Sequence, residues 1–269
     1  MAVVTISSEI GSGAPEIGRA VARRLSYRFI DREVITEAAH RYGLLEEKLA
    51  DLDERKPSLF QRLDVETRRY LLRTQAAVYE FAEANDVVLM GRGGQWLLRG
   101  IPHVLRVRVT APFEDRVRRL AQTGSPGGPP RALVGLVRRD DAGRAGRTRY
   151  LYDVDIADPA LYDVVFNTAT LPIEAVVDLL SVTVQRPDWA TTAGGQALVA
   201  NRALAARVEV ALATHPKTRT LKIDVEAQDG VVTLEGAAGL ATAAAVARDV
   251  AGVRDVHTRE IPPIAHFPG

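Results

Sequence analysis

The chain reads as an α/β protein, a parallel sheet flanked by helices, with a small α+β unit in αββαβ order behind it. Two observations predict this. Apolar strands alternate with amphipathic helices through residue 184. Beyond residue 197 the rhythm shortens to a helix, a hairpin with Asp229-Gly230 at its turn, a second helix and a last strand. A length of 269 residues suits one medium domain and one small one. The expected division is a first domain over 1–184, a linker over 185–197 and a second unit over 198–262.

The elements follow in order. Residues 2–6 are an apolar strand, and a glycine-bearing turn leads to a helix over 16–25 with Ile17, Val21 and Leu25 on one face. A strand over 28–30 and a helix over 32–41 come next. Residues 59–84 form a long helix whose apolar stripe is Leu63, Leu71, Leu72, Val78 and Phe81. Strands over 87–90 and 104–109 precede a helix over 112–122. The run Thr-Gly-Ser-Pro-Gly-Gly-Pro-Pro over 123–130 is a turn-rich insert. A helix over 131–144, a strand over 164–167 and a helix over 172–184 complete the first domain. The small and polar run from Arg186 to Gln196 reads as linker. In the second unit Leu221, Ile223 and Val225 alternate with polar residues, as do Val232 and Leu234, on either side of Asp229-Gly230.

Composition excludes several chemistries. With no cysteine there is no disulfide, thiolate nucleophile or Cys-based zinc site. A net charge of +1 gives no field for nucleic acid. The chain shows neither a secretory n-region nor a run of about 18 apolar residues, so a cytoplasmic protein is expected. Of 35 basic residues only Lys48, Lys56, Lys217 and Lys222 are lysines, so cationic chemistry falls to arginine, the better bidentate partner of phosphate oxygens.

Chemistry-bearing motifs gather at the predicted strand ends. Ile6-Ser-Ser-Glu-Ile-Gly-Ser-Gly-Ala-Pro-Glu-Ile-Gly18 joins strand to helix as a phosphate-cradling loop does, with candidate contacts Gly11, Ser12, Gly13 and Gly18. Ala14 and Pro15 stand where such a loop usually carries lysine and a hydroxyl. The glycines alone fit a plain βα turn equally well, and Pro15 with Glu16 suits a helix start better than an anion. Arg19, one turn into the helix, is expected to point away. Asp31 and Arg32 follow the second strand, and Gly91-Arg92-Gly93-Gly94 follows the third, at the edge where open parallel sheets bind ligands. Arg131, Arg138 and Arg139 share one side of a predicted helix and are expected to converge, with Arg144 and Arg147 beyond them. No histidine has a partner at metal-ligand spacing.

Taken with Arg138-Arg139-Asp140, Arg144 and Tyr162-Asp-Val-Val-Phe-Asn-Thr168, these motifs resemble the cytidylate-kinase-like family over about residues 1–184. That family is a divergent branch of the P-loop NTPase-like nucleoside monophosphate kinases. The resemblance implies transfer of the ATP γ-phosphate to CMP or a related nucleotide, with ATP and Mg²⁺ as cofactors. It implies that Gly11, Ser12, Gly13 and Gly18 hold donor phosphates and that Asp31, Arg32 and Arg92 lie near the acceptor. Arg92, Arg138, Arg139 and Arg144 would act in catalysis, the last three from a lid. The alternative is a degenerate nucleotide-binding or sensing module. Residues 198–262 resemble a BON domain through Leu204, Val208, Gly230-Val-Val-Thr-Leu-Glu-Gly236 and Ala251-Gly-Val-Arg-Asp-Val256. That implies a protein or membrane-surface partner; the alternative for this unit is a compact add-on used for self-association into a homo-oligomer.

Overall fold

A computed structural model describes residues 2–40, 65–124 and 129–261. The N-terminal unit runs β1 (Val3–Ser8), α1 (Ala14–Leu25), β2 (Arg28–Ile30), α2 (Arg32–His40), α3 (Val65–Glu83), β3 (Val87–Met90) and α4 (Gly94–Leu97). It continues with β4 (Val104–Thr110), α5 (Phe113–Thr123), α6 (Pro130–Tyr152), β5 (Val164–Asn167) and α7 (Ile173–Val184). The C-terminal unit is α8 (Ala193–Thr214), β6 (Ile223–Gln228), β7 (Val231–Gly236), α9 (Leu240–Arg248) and β8 (Asp255–Glu260). The expected start of the long helix at residue 59, the end of α2 at residue 41 and residues 125–128 of the turn-rich insert lie outside the described residues.

Five parallel strands form the first sheet in the order β2-β3-β1-β4-β5. The chain leaves β1 for β2 and β3 on one side and then crosses to β4 on the other, so β1 sits at the reversal, where open sheets bind ligands. Strand alternation splits the core in two. Val4 and Ile6 of β1 face α1 and α7, packing on Ile17, Val21, Val177 and Leu180. Val3 faces the other way, toward Ala77, Val78 and Ala82 of α3. The second sheet pairs β6 and β7 antiparallel across the Asp229-Gly230 turn, with β8 parallel to β7. No helix among the described residues is long and apolar enough to cross a membrane.

Helix α8 corrects the expected linker: it begins at Ala193, inside that stretch. Of the two glycines there, Gly194 is exposed and Gly195 serves close packing. Gly195 is buried against His103, and a Cβ there would lie 2.6 Å from the His103 Nδ1. Thr192 caps the helix, its hydroxyl accepting from the Gly195 N–H at 3.1 Å. Val199 then enters the N-terminal core, whereas Leu204, Val208 and Leu212 form the core of the C-terminal unit. The helix is apolar on several sides because it is buried on several sides.

Where α8 meets α3 and β6, burial pushes the Glu209 carboxyl up to about 7, opposed by Arg68 and reinforced by Asp224. A raised folded value means the destabilisation is absent below the ordinary carboxylate range and full above about pH 7. Glu209→Gln is therefore expected to stabilise the fold by about 1–3 kcal/mol at about pH 8 and to be neutral at about pH 4. Chemical denaturation at the two pH values checks this.

Candidate functional site

The turn after β1 is held from outside by its carbonyls. The Ser12 carbonyl accepts from Arg119 Nη1 at 3.1 Å and from the Thr168 hydroxyl at 2.8 Å. The Ile10 carbonyl accepts from Arg116 at 3.4 Å, and the Ser8 carbonyl from Arg144 at 3.0 Å. In a trans peptide the next N–H points opposite to the carbonyl, so the Gly11 and Gly13 amides face away from Arg116 and Arg119. Both glycines are left-handed, at φ 79° and 81°. A Cβ on Gly11 would lie 2.7 Å from the Arg116 carbonyl oxygen.

The loop thus offers backbone donors suited to phosphate oxygens. It supplies neither a lysine nor a hydroxyl after Gly13: Ala14 is fully buried in the core and Pro15 has no N–H. The Ser12 Oγ is buried without a hydrogen-bond partner and is the loop's one spare hydroxyl. Gly18 serves packing, since a Cβ there would lie 2.8 Å from the Phe29 ring.

Beside the loop, at the carboxyl edge of the sheet, opens a cavity of about 370 Å³. Ser8, Pro15 and Arg19 bound it on the loop side, and Arg92, Arg144 and Arg147 bring three guanidiniums to its wall. Phe29, Leu71, Met90 and Tyr152 give it an apolar side. Glu16 is exposed and outside this lining. Arg92 is set by an unusual backbone: Gly91, Arg92 and Gly93 are all left-handed, at φ 73°, 53° and 74°. A non-glycine residue there costs about 1–2 kcal/mol and persists only where neighbours enforce it. Arg92 donates to the Tyr70 hydroxyl and the Thr36 hydroxyl, each at 2.6 Å. Gly93 leaves room for Tyr152, whose hydroxyl would lie 2.8 Å from a Cβ there, and burial pushes the Tyr152 phenol up to about 12.

Arg144 Nε donates to Asp140 at 2.6 Å. Arg147 is held below the usual arginine range, first by burial and then by Arg92 and Arg144. Three cations drawn together in a partly buried place favour an anion between them. Asp31 lines the same cavity, and its Oδ1 accepts from the Val34 N–H at 3.1 Å, capping α2. Arg32 opens α2 at this edge, and its side chain lies outside the described ones.

The structure therefore gathers Asp31, Arg92 and Arg144 and separates Arg138 and Arg139 from them. Arg138 lies over the Phe113 ring at 5.7 Å, Arg139 beside Gly135, and both are exposed, as is Arg131. The inner face of α6 is set by Leu133, Val137, Asp140, Arg144, Arg147 and Thr148. The expected convergence counted from Arg131 and so followed the wrong face. Counting from Arg144, four residues back finds Asp140 and three residues forward finds Arg147. Arg19 also differs from expectation: it lines the cavity, its guanidinium 5.2 Å from the centre of the Phe29 ring. No sequence signal marked Tyr70.

Behind the loop, Glu9 accepts from the Thr110 hydroxyl at 2.6 Å and from Arg108 at 3.1 Å. Arg116, 5% exposed, forms a two-pronged pair with Asp141 at 2.9 and 2.8 Å, tying α5 to α6. Asp141→Ala would leave that guanidinium short of its partner and is expected to cost about 2–4 kcal/mol, read as a lower denaturation midpoint.

Comparison with known proteins places this geometry. Residues 3–170 match the family model described as the cytidylate kinase-like family, and residues 200–261 match the BON domain model. The cytidylate kinase of Ignicoccus hospitalis is 29% identical over 181 residues, which cover 67% of this chain and 97% of that protein. The cytidylate kinase of Staphylothermus marinus is 28% identical over 181 residues, 67% of this chain and 94% of that protein. Among solved structures, an uncharacterized protein from Eubacterium ventriosum superposes with a TM-score of 0.55 at 14% identity, covering 68% of this chain and 97% of that one. The parallel sheet, the glycine turn and the arginine-walled cavity lie within the matched span, and the chain belongs to the cytidylate kinase-like family, with a BON domain behind it.

Proposed function

We propose that the chain binds a nucleoside monophosphate in the arginine-walled cavity and transfers to it the γ-phosphate of ATP. The observation that carries the reading is the meeting of Arg92 with Arg144 and Arg147 on one cavity, beside an apolar side made by Phe29, Leu71 and Met90. Fixed guanidiniums match the oxygens of a phosphate monoester, and the apolar side suits the nucleoside attached to it. Family membership supports the same class of reaction.

In this reading an acceptor phosphate oxygen attacks the γ-phosphorus of ATP in line, and ADP leaves without a covalent intermediate. The protein's part is to place charge and exclude water. The turn would cradle the donor phosphates through the Gly11 and Gly13 amides, since the Ser12 N–H already donates to the Glu9 carbonyl at 3.1 Å. Mg²⁺, bound together with ATP, would supply neutralising charge at the phosphate oxygens. Arg19, at the boundary between loop and cavity, is the cation placed to stand in for the loop lysine.

A second reading, a nucleotide-sensing module without turnover, is favoured by one observation. Ala14 is fully buried and Pro15 lacks an N–H, so the loop itself brings no side-chain cation to the γ-phosphate. Following ADP formation from ATP with CMP, dCMP and UMP separates the two. Turnover with at least one acceptor is expected, and Arg92→Gln is expected to lower kcat/KM for that acceptor by roughly 10²–10³-fold. Binding of a monophosphate with no ADP formed from any of them would select the sensing reading.

A further inference from the structure

Helix α8 begins the C-terminal unit, yet much of its surface belongs to the N-terminal one. Val199 is buried beside Leu97 and Leu98. Ala206 and Val210 close on Ala76 of α3. The Gln196 side-chain Oε1 accepts from Asn85 Nδ2 at 2.5 Å, and Arg207 faces Glu83 at 3.6 Å. Arg69 donates to the Ala213 carbonyl at 2.8 Å. These contacts run the length of the helix.

One of them reaches the cavity elements. Arg202 Nη1 donates to the Leu97 carbonyl at 2.8 Å and to the Arg99 carbonyl at 2.9 Å, and the Tyr79 hydroxyl donates to the same Leu97 carbonyl at 3.2 Å. Leu97 ends α4, the four-residue helix that follows the left-handed Gly91-Arg92-Gly93 run and carries Gln95 on the cavity wall. A helix of four residues does not persist alone: the Gly94 and Trp96 carbonyls accept from the Leu98 and Arg99 amides, whereas the last carbonyl, of Leu97, is held by Arg202 and Tyr79. The backbone that aims Arg92 is therefore fixed at its far end by a guanidinium from the C-terminal unit. Helix α3 gives a second route: Tyr70, Leu71 and Thr74 face the cavity, and Leu72 and Ala76 face α8.

We propose that Arg202 is a positioning residue of the monophosphate site, so that the C-terminal unit is a structural wall of that site and not a tethered appendage. This rests on the reading of the cavity as an acceptor site. Its effect is on how well Arg92 is held for the acceptor phosphate and not on the donor loop, which α8 does not touch among the contacts described.

The test uses the full chain as wild type, Arg202→Ala, Arg202→Lys and Arg207→Ala, with CMP binding by calorimetry and steady-state ADP formation as readouts. Arg202→Ala is expected to raise the CMP Kd and KM about tenfold while the KM for ATP stays unchanged. Arg202→Lys, which keeps the charge but lacks the planar guanidinium whose Nη1 meets both carbonyls, is expected to recover part of that loss. Arg207→Ala, which removes a contact at Glu83, the last residue of α3 and remote along it from the cavity-lining Tyr70, Leu71 and Thr74, is expected to leave the CMP values unchanged. If Arg202→Ala does not fold, Arg202→Lys carries the comparison with about a threefold weaker CMP affinity than wild type. Wild-type binding of CMP with unchanged values in the folded Arg202 variants overturns this inference alone. A wild type that neither binds nor phosphorylates any monophosphate overturns the acceptor reading as well.

Discussion

The site depends on one constraint: the carbonyls of the turn after β1 must find donors on its outer side. Arg144, Arg116 and Arg119 supply them to Ser8, Ile10 and Ser12. Because peptide planes are rigid, satisfying those carbonyls turns the Gly11 and Gly13 amides the other way. The same three arginines join the loop to α5 and α6, and Arg144 reaches from there to the cavity wall. Glu9 and Asp141 complete the arrangement by neutralising Arg108 and Arg116. Loop geometry and helix placement are consequences of one set of guanidiniums, each given partners on more than one element, and one of the set, Arg144, joins Arg92 and Arg147 at the cavity.

Much of the fold was legible because its signals are local. The strand over 87–90 and the Asp229-Gly230 hairpin each come from a run of apolar residues bounded by turn formers, and the structure has both. The glycines of 91–94 were legible for the same reason, since only a turn needs three of them around an arginine. What stayed hidden was tertiary. Gly194-Gly195 has the composition of a linker, and the packing of Gly195 on His103 that belongs to its helix is a tertiary contact no local pattern encodes. Arg138 and Arg139 had the right residue type in the right segment, but which face of α6 turns inward is decided by Leu133 and Val137 packing beside Leu120. Tyr70 reaches Arg92 across 22 residues of sequence, and no local pattern encodes that.

The C-terminal unit spends the surface of its first helix on the N-terminal one and leaves one sheet face open. Across β6, β7 and β8 that face carries Asp224, Glu226, Glu235 and Asp255 against His257 and Arg259. Glu235 and Arg259 form an ion pair, so the remaining charge is acidic.

The near absence of lysine has a further consequence at the cavity. Every cation lining it is a guanidinium, and burial that lowers Arg147 still leaves it an arginine. A guanidinium keeps its charge across the range in which proteins work. The positive field of the wall is therefore constant where an amine-based wall would fade toward alkaline pH. In the proposed reaction the ionisation that varies near neutrality belongs to the guest: a phosphate monoester takes its second charge at about pH 6. The onset of binding with pH would then be a property of the nucleotide, and the protein would present it with an unchanging host.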